Sequence, residues 1–358
     1  MTNSIFKKEL SFGGVSLEQK AVLARQLAVM LQSGLNLSEA LGTALNSSQG
    51  KLKQVLGEVR LAVESGRPLA TALGDYPKVF GGLFLSSVYA GEASGSLADN
   101  LKNVAVALEK ERAIVSKVKG ALIYPAIVLI ATLVLGIILA FTVLPKITRL
   151  FEGLNITLPA TTRALISFAH FADDWGVVAF PAALIIIFLL VFAWRLRVFQ
   201  PITHKILLTL PLAKSLVRES NVSRFAGTLA MLLKSGVPVD EALKIASETA
   251  SNFYFKKALV EVGESARRGA KLATSLAAYP KLFPTLATDL VRVGEESGKF
   301  EETLTYIAEF YEAEVDKTTK NISTTIEPAL LLFIGLIVAV FALSIITPIY
   351  ELTGNIKR

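Results

Sequence analysis

The chain has 358 residues, of which 52% are hydrophobic and only 19% charged, with a formal net charge of +7 and no cysteine. So low a charged fraction fits a chain partly dissolved in lipid that keeps room for two water-facing domains of about 100 residues each. Without cysteine, disulfides and thiolate metal sites are excluded, and the positive balance suits basic membrane flanks or acidic partners.

Residues 1–15 read as a polar, flexible lead-in, and because no apolar core follows Lys7 and Lys8 the stretch is not expected to be a secretory signal peptide. Ser16-Leu17-Glu18-Gln19 has the spacing of a capping box, which predicts a helix start. Leu23, Leu27, Met30 and Leu31 then share one helical face, and Gly34 is placed to close the helix. Further helices are expected at about 38–47, 51–65, 68–73 and 82–90, punctuated by Gly66, Gly74, Gly91 and Gly95. From about Ser96 the apolar series Leu97, Leu101, Val104 and Leu108 predicts a last helix, with Glu109 to Arg112 on its wet side. These elements make a first helical bundle over 16–120.

That last helix is expected to run on into a membrane span at 121–145, because no charge occurs between Lys119 and Lys146 and about 20 apolar residues suffice to cross the hydrocarbon core. Pro125 is expected to kink it near membrane entry. Residues 146–174 follow as an extracytoplasmic loop whose charges cancel, and 175–195 as a second span bracketed by Trp175 and Trp194. A second bundle is expected over 196–326, a third span over 327–348 and a tail over 349–358.

The second half repeats the first. L-A-V-M-L-Q-S-G-L-N-L-S-E-A-L at 27–41 aligns with L-A-M-L-L-K-S-G-V-P-V-D-E-A-L at 229–243, and the Y-P-x-x-F blocks at 76–80 and 279–283 align likewise. G-E-A-S-G at 91–95 returns as G-E-E-S-G at 294–298, and Pro125 and Pro145 return as Pro328 and Pro348. Ordered blocks of this kind mark a tandem duplication of bundle and span. Two homologous bundles feeding homologous spans must lie on one side, so one extra crossing is required between them, and 175–195 supplies it. Lys117, Lys119, Arg195, Arg197, Lys205, Lys317 and Lys320 outweigh Lys146, Arg149, Arg163, Lys357 and Arg358, which places the bundles in the cytoplasm. The fold class is therefore an all-α membrane protein with two homologous cytoplasmic helical bundles and three transmembrane helices.

Catalytic patterns are missing. Arg268-Gly269-Ala270-Lys271 lacks the rest of a phosphate loop, G-E-E-S-G has the wrong order for a nucleophile elbow, and two histidines, His170 and His204, make a histidine triad or metal site improbable. No enzyme, cofactor or metal is expected. The spans carry no internal charge, which argues against the alternative of a transporter or channel component. The twin motifs Gly91-Glu92-x-x-Gly95 and Gly294-Glu295-x-x-Gly298 are the candidate functional loops. Their carboxylates either support the N-terminal end of the last helix through its dipole or dock a basic surface or divalent cation on a partner.

Lys117, Ala121-Leu122, Tyr124-Pro125, Thr132 and Val143-Leu144-Pro145, with the duplicated blocks and the L-P-x-x-T-R loop at 158–163, resemble the signature of the type II secretion F and type IV pilus assembly C family. The resemblance implies two cytoplasmic six-helix bundles on three spans, with Lys117, Tyr124, Pro125, Pro145, Pro328 and Pro348 at membrane entry and exit. It also implies a non-enzymatic inner-membrane platform linking a cytoplasmic hexameric ATPase to movement of pilin or pseudopilin subunits. Implied partners are that ATPase, the pilins, other inner-membrane assembly proteins, the lipid bilayer and further copies of the chain as a dimer or trimer, with no direct nucleic-acid contact. Family members commonly carry a longer segment before the first bundle.

Overall fold

A computed structural model of the full chain describes residues 14–142, 167 and 199–355. The expected loop 146–174, the expected second span and Pro145 lie outside the described residues, apart from the single position 167. The described residues are helical with no strand. In chain order the first repeat comprises α1 (Leu17–Gln32), α2 (Leu37–Ser47), α3 (Gly50–Glu64), α4 (Leu69–Gly74), α5 (Gly82–Ser94) and α6 (Leu97–Thr142). After α7 (Gln200–Thr209) the same order returns as α8 (Pro211–Lys234), α9 (Val239–Thr249), α10 (Phe253–Arg267), α11 (Leu272–Ala277), α12 (Thr285–Ser297) and α13 (Phe300–Asn355).

Local sequence accounts for most of these boundaries. The Ser16 hydroxyl accepts from the Gln19 amide at 3.2 Å while the Gln19 side chain accepts from the Ser16 amide at 2.9 Å, so the capping box closes in both directions. At the other end of α1, Gly34 takes φ +87°, a left-handed conformation that costs glycine little, and lets the Leu35 amide reach back to the Met30 carbonyl at 3.1 Å. Two boundaries differ from expectation. Gly91 is not punctuation but lies inside α5, which continues to Ser94. Helix α13 continues past Pro348 to Asn355, through most of the expected tail. The first helix of the second repeat begins at Pro211, ahead of Glu219 where the repeated pattern starts, with proline at the first helical position, where its missing N–H costs nothing.

The chain divides into two units, Met1–Ser116 with His204–Lys317, and Lys117–Thr203 with Thr318–Arg358. Both repeats thus belong to the first unit. Its core is built from corresponding positions with exchanged volumes. In the first repeat Phe80 packs at a tilt against Phe84 with centroids 5.0 Å apart; in the second, Ala287 replaces Phe84, and Phe283 packs instead on Phe255 at 5.3 Å and Phe225 at 6.3 Å, where the first repeat has Leu52 and Leu23. Exchanging bulk between neighbouring positions keeps the packing density that a core requires.

In the second unit, α6 and α13 are the described helices long and apolar enough to cross a membrane, their most apolar windows having mean hydropathies of 2.6 and 2.0. Ile127 is 60% exposed, Leu133 58% and Leu332 76%. Each such side chain forfeits about 1.5–3 kcal/mol if left in water, so a hydrocarbon environment is the consistent one. The Thr132 hydroxyl donates to the Val128 carbonyl at 2.8 Å, which satisfies it without leaving the helix. Helix α6 is continuous through Gly120 and Pro125.

Candidate functional site

The twin G-E-x-S-G motifs are the end of a helix rather than a free loop. Residues 91–94 form the last turn of α5, and Gly95 terminates it at φ +73°; residues 294–297 end α12, with Gly298 at φ +72°. Each position of the motif has a separate task. A Cβ on Gly91 would lie 2.9 Å from the Leu97 Cα and 3.0 Å from the Asn100 Cβ, so glycine lets α5 approach the start of α6 closely. On Gly294 a Cβ would lie 3.0 Å from the Thr303 Cβ and Oγ1 and 3.4 Å from the Phe300 Cα.

The carboxylates do not turn toward the last helix, as the dipole reading expected. Glu92 Oε1 accepts from the Leu69 amide at 2.7 Å and Oε2 from the Ala70 amide at 3.0 Å. Glu295 repeats the pair with Leu272 at 2.6 Å and Ala273 at 2.9 Å. Both acids are half-buried and cap the short helices α4 and α11, whose preceding residues Pro68 and Lys271 supply no side-chain cap. A helix of six residues has few internal hydrogen bonds, so two charge-assisted bonds, each worth about 1.5–3 kcal/mol where a charge is involved, are a large part of its support.

A second constellation joins the repeats and was not legible as a motif. The Asn100 side chain, only 3% exposed, donates to the Ser87 carbonyl at 3.1 Å and to the Ser235 carbonyl at 3.3 Å. The Ser87 and Ser235 hydroxyls both reach the Met231 sulfur at 3.6 Å. Around this buried centre Ser86 donates to Glu241 at 3.3 Å, Lys110 lies 3.5 Å from Glu309, and Arg224 lies 3.4 Å from Glu111. The available signal was Asn100 itself, a polar residue on the apolar stripe between Leu97 and Leu101.

Of the membrane-entry residues, Lys117 is half-buried, Tyr124 is 55% exposed, Pro125 is buried, and Pro328 is exposed on α13. Pro348 lies within α13, and Pro145 lies outside the described residues. Among the described residues no three His, Cys, Asp or Glu side chains are grouped to hold a metal ion.

The family model described as type II secretion system (T2SS), protein F matches the chain twice, over residues 23–145 and 225–348. Among curated proteins, the type IV pilus assembly protein PilC of Myxococcus xanthus is 33% identical over 351 residues, 97% of this chain and 83% of the relative. The type II secretion system protein F of Pseudomonas aeruginosa is 35% identical over 341 residues, 95% of this chain and 84% of the relative. The PilC protein of Thermus thermophilus is 33% identical over 349 residues, 96% of this chain and 85% of the relative. Each of the two matches takes in most of one helical repeat and the apolar stretch that follows it, and on that double match the chain belongs to the type II secretion system protein F family.

Proposed function

We propose that this chain is an inner-membrane platform protein of a type IV pilus or type II secretion machine, which couples a cytoplasmic hexameric ATPase to movement of pilin or pseudopilin subunits and carries out no chemistry itself. The observation that carries this reading is the near full-length likeness to relatives named for both systems, each helical repeat being followed by an apolar helix. In this reading the chain crosses the bilayer three times, with two cytoplasmic six-helix bundles, and self-associates as a dimer or trimer. The third crossing rests on the uncharged run from Trp175 to Trp194 and on the same-side requirement of the duplication.

Coupling is proposed to run along α6 and α13, because a helix carries rotation or tilt through its internal hydrogen bonds while a flexible linker absorbs it. Docking of a partner at Glu92 or Glu295 is part of the proposal through the lone pairs that each carboxylate oxygen keeps beside its bond to an amide of α4 or α11.

The test is deletion and complementation in the source cell. Loss of the gene is expected to abolish surface filaments or secretion, and the wild-type gene to restore them. A copy with three glycines after Lys119 is expected to insert and bind the ATPase without restoring assembly. Normal filaments from the insertion copy would reject rod coupling, and normal filaments in the deletion strain would reject the platform role. Alkaline phosphatase fused after Ile156 should be active and fused after Ser220 inactive, and activity at Ser220 would reverse the topology.

A further inference from the structure

Helix α7 (Gln200–Thr209) presents to its surroundings the kind of face that other helices bury. On α3 the ordinary arrangement holds: Leu52, Val55, Leu56 and Val59 are buried, while Lys51, Lys53, Gln54 and Glu58 face water. On α7 the exposed face is itself apolar. Ile202 is 58% exposed, and Phe199 and Ile206, about one turn to either side of it, are 42% exposed each. Leu210, a further turn along, is 50% exposed, and the exposed Lys205 stands at the margin of this row.

The helix is held in this rotation from its other side. Thr203 is buried, Leu208 packs against the hydrophobic core, and His204 accepts through Nδ1 from the Phe253 amide at 2.9 Å. Turning the apolar row inward would withdraw Leu208 from the core and His204 from that amide. The row is therefore a fixed outward surface.

The surrounding sequence indicates what this surface meets. From Trp175 to Val217 there are four cations, Arg195, Arg197, Lys205 and Lys214, and no acid. Bulky apolar side chains accompanied by positive charge alone suit an anionic lipid surface: the apolar groups enter the boundary between headgroups and acyl chains, and the cations meet the headgroups. Phe199 follows Trp194 by five residues, which an extended chain covers in at most about 18 Å. A span at 175–195 would thus deliver α7 to the headgroup level without any partner to carry it there.

We propose that α7 lies in the plane of the cytoplasmic leaflet, with Phe199, Ile202, Ile206 and Leu210 entering it and Lys205 against anionic headgroups. This rests on the reading of 175–195 as a span. It gives the second repeat an attachment to the bilayer along the membrane surface, in addition to the helices that cross.

The chain has no cysteine, so one introduced thiol reports one place. Full-length Ile206→Cys, carrying a nitrobenzoxadiazole fluorophore, is reconstituted in nanodiscs of phosphatidylcholine and phosphatidylglycerol. Its emission is expected to be lost to a lipid with a doxyl group near the headgroup and to resist acrylamide in the water. Leu61→Cys, at an exposed apolar residue of α3, should show the reverse. Ile186→Cys, in the middle of the run from Trp175 to Trp194, reports the span by itself and should be quenched by a lipid with the doxyl group near the chain end. Adding Lys205→Glu to Ile206→Cys should reduce lipid quenching where phosphatidylglycerol is present and leave it unchanged in phosphatidylcholine alone. Quenching at 186 without quenching at 206 overturns the proposal and leaves the span standing; quenching at neither removes the span and the proposal with it. Resistance of the 206 label to acrylamide without quenching by doxyl lipid also overturns it, since a protein then covers the face. An equal effect of Lys205→Glu in both lipid compositions, or an effect in neither, overturns the assignment to anionic headgroups.

Discussion

The α-carbon of Leu97 lies where a Cβ on Gly91 would come within 2.9 Å of it, closer than real Cβ atoms come to neighbouring backbone. The turn from α5 into α6 is thus set by the absence of one methyl group. In the second repeat the corresponding Gly294 faces mainly the Thr303 side chain, at 3.0 Å.

Gly91→Ala and Gly294→Ala should therefore differ. In the first, backbone must move, and a destabilisation of about 1–3 kcal/mol is expected, the usual cost of overpacking. In the second, a side chain can yield, and the loss should be smaller. Chemical denaturation of both variants in the same lipid or detergent checks the order, and equal losses would show that Leu97 is not the limiting contact.

Replacing Glu92 by Gln removes the charge and one of two acceptors at the start of α4. Loss of a helix cap typically costs about 0.5–2 kcal/mol, so a lower melting temperature is expected for Glu92→Gln and for Glu295→Gln. A docking role in addition predicts weaker capture of the ATPase in a pull-down by the same variants, and unchanged capture would reject it.

Tyr76 donates to the Glu58 carboxylate, and that bond, with burial adding to it, pushes the phenol up to about 12 from an ordinary 10.0. The folded state thus favours the protonated phenol. Its contribution to stability is complete below pH 10 and is lost as pH rises from there through about 12. An absorbance titration of tyrosinate should lose a phenol that ionises at about 12 in Tyr76→Phe, and Glu58→Gln should move Tyr76 down toward the ordinary range. Tyr279 and Glu261 repeat the arrangement, with the Tyr279 phenol raised chiefly by the same bond.

His204 on α7 accepts through Nδ1 from the Phe253 amide at 2.9 Å, at the first residue of α10, and burial lowers its pKa below the ordinary 6.5. The neutral ring is the folded form, so its contribution is present above pH 6.5 and is lost as pH falls through the lower folded value. His204→Asn offers an amide oxygen near the same position. It should retain melting stability at pH 8 and flatten the decline between pH 7 and 5. An unchanged decline would assign it to other groups.

The duplication, the helix starts at Ser16 and Ser96, and the glycine stops were legible because each is written within a few consecutive residues. Partners of Glu92 were not, because Leu69 and Ala70 stand a helix and a loop away in the chain, and no local pattern announces which helix end a carboxylate will serve. The joining of the repeats was hidden for a different reason. A duplicated sequence suggests equivalent halves, whereas the contact between them uses α5 and α6 of one against α8, α9 and α13 of the other, through Ser86, Asn100, Ser235 and Glu241. Only the differences between repeats, such as Arg224 against Val22, carry that information.

Pro125 in α6 and Pro328 in α13 each bring no amide proton, so neither makes the helical hydrogen bond to the carbonyl four residues earlier, of Ala121 or Thr324. Each long helix thus lacks a rung at the foot of its apolar stretch, at the same place in both copies of the duplication, and α13 lacks a second at Pro348. A missing rung is a soft point as well as a polar one: bending there breaks nothing, while bending one turn away breaks a hydrogen bond. The two helices are therefore built to yield at one matching position, and α13 at Pro348 as well.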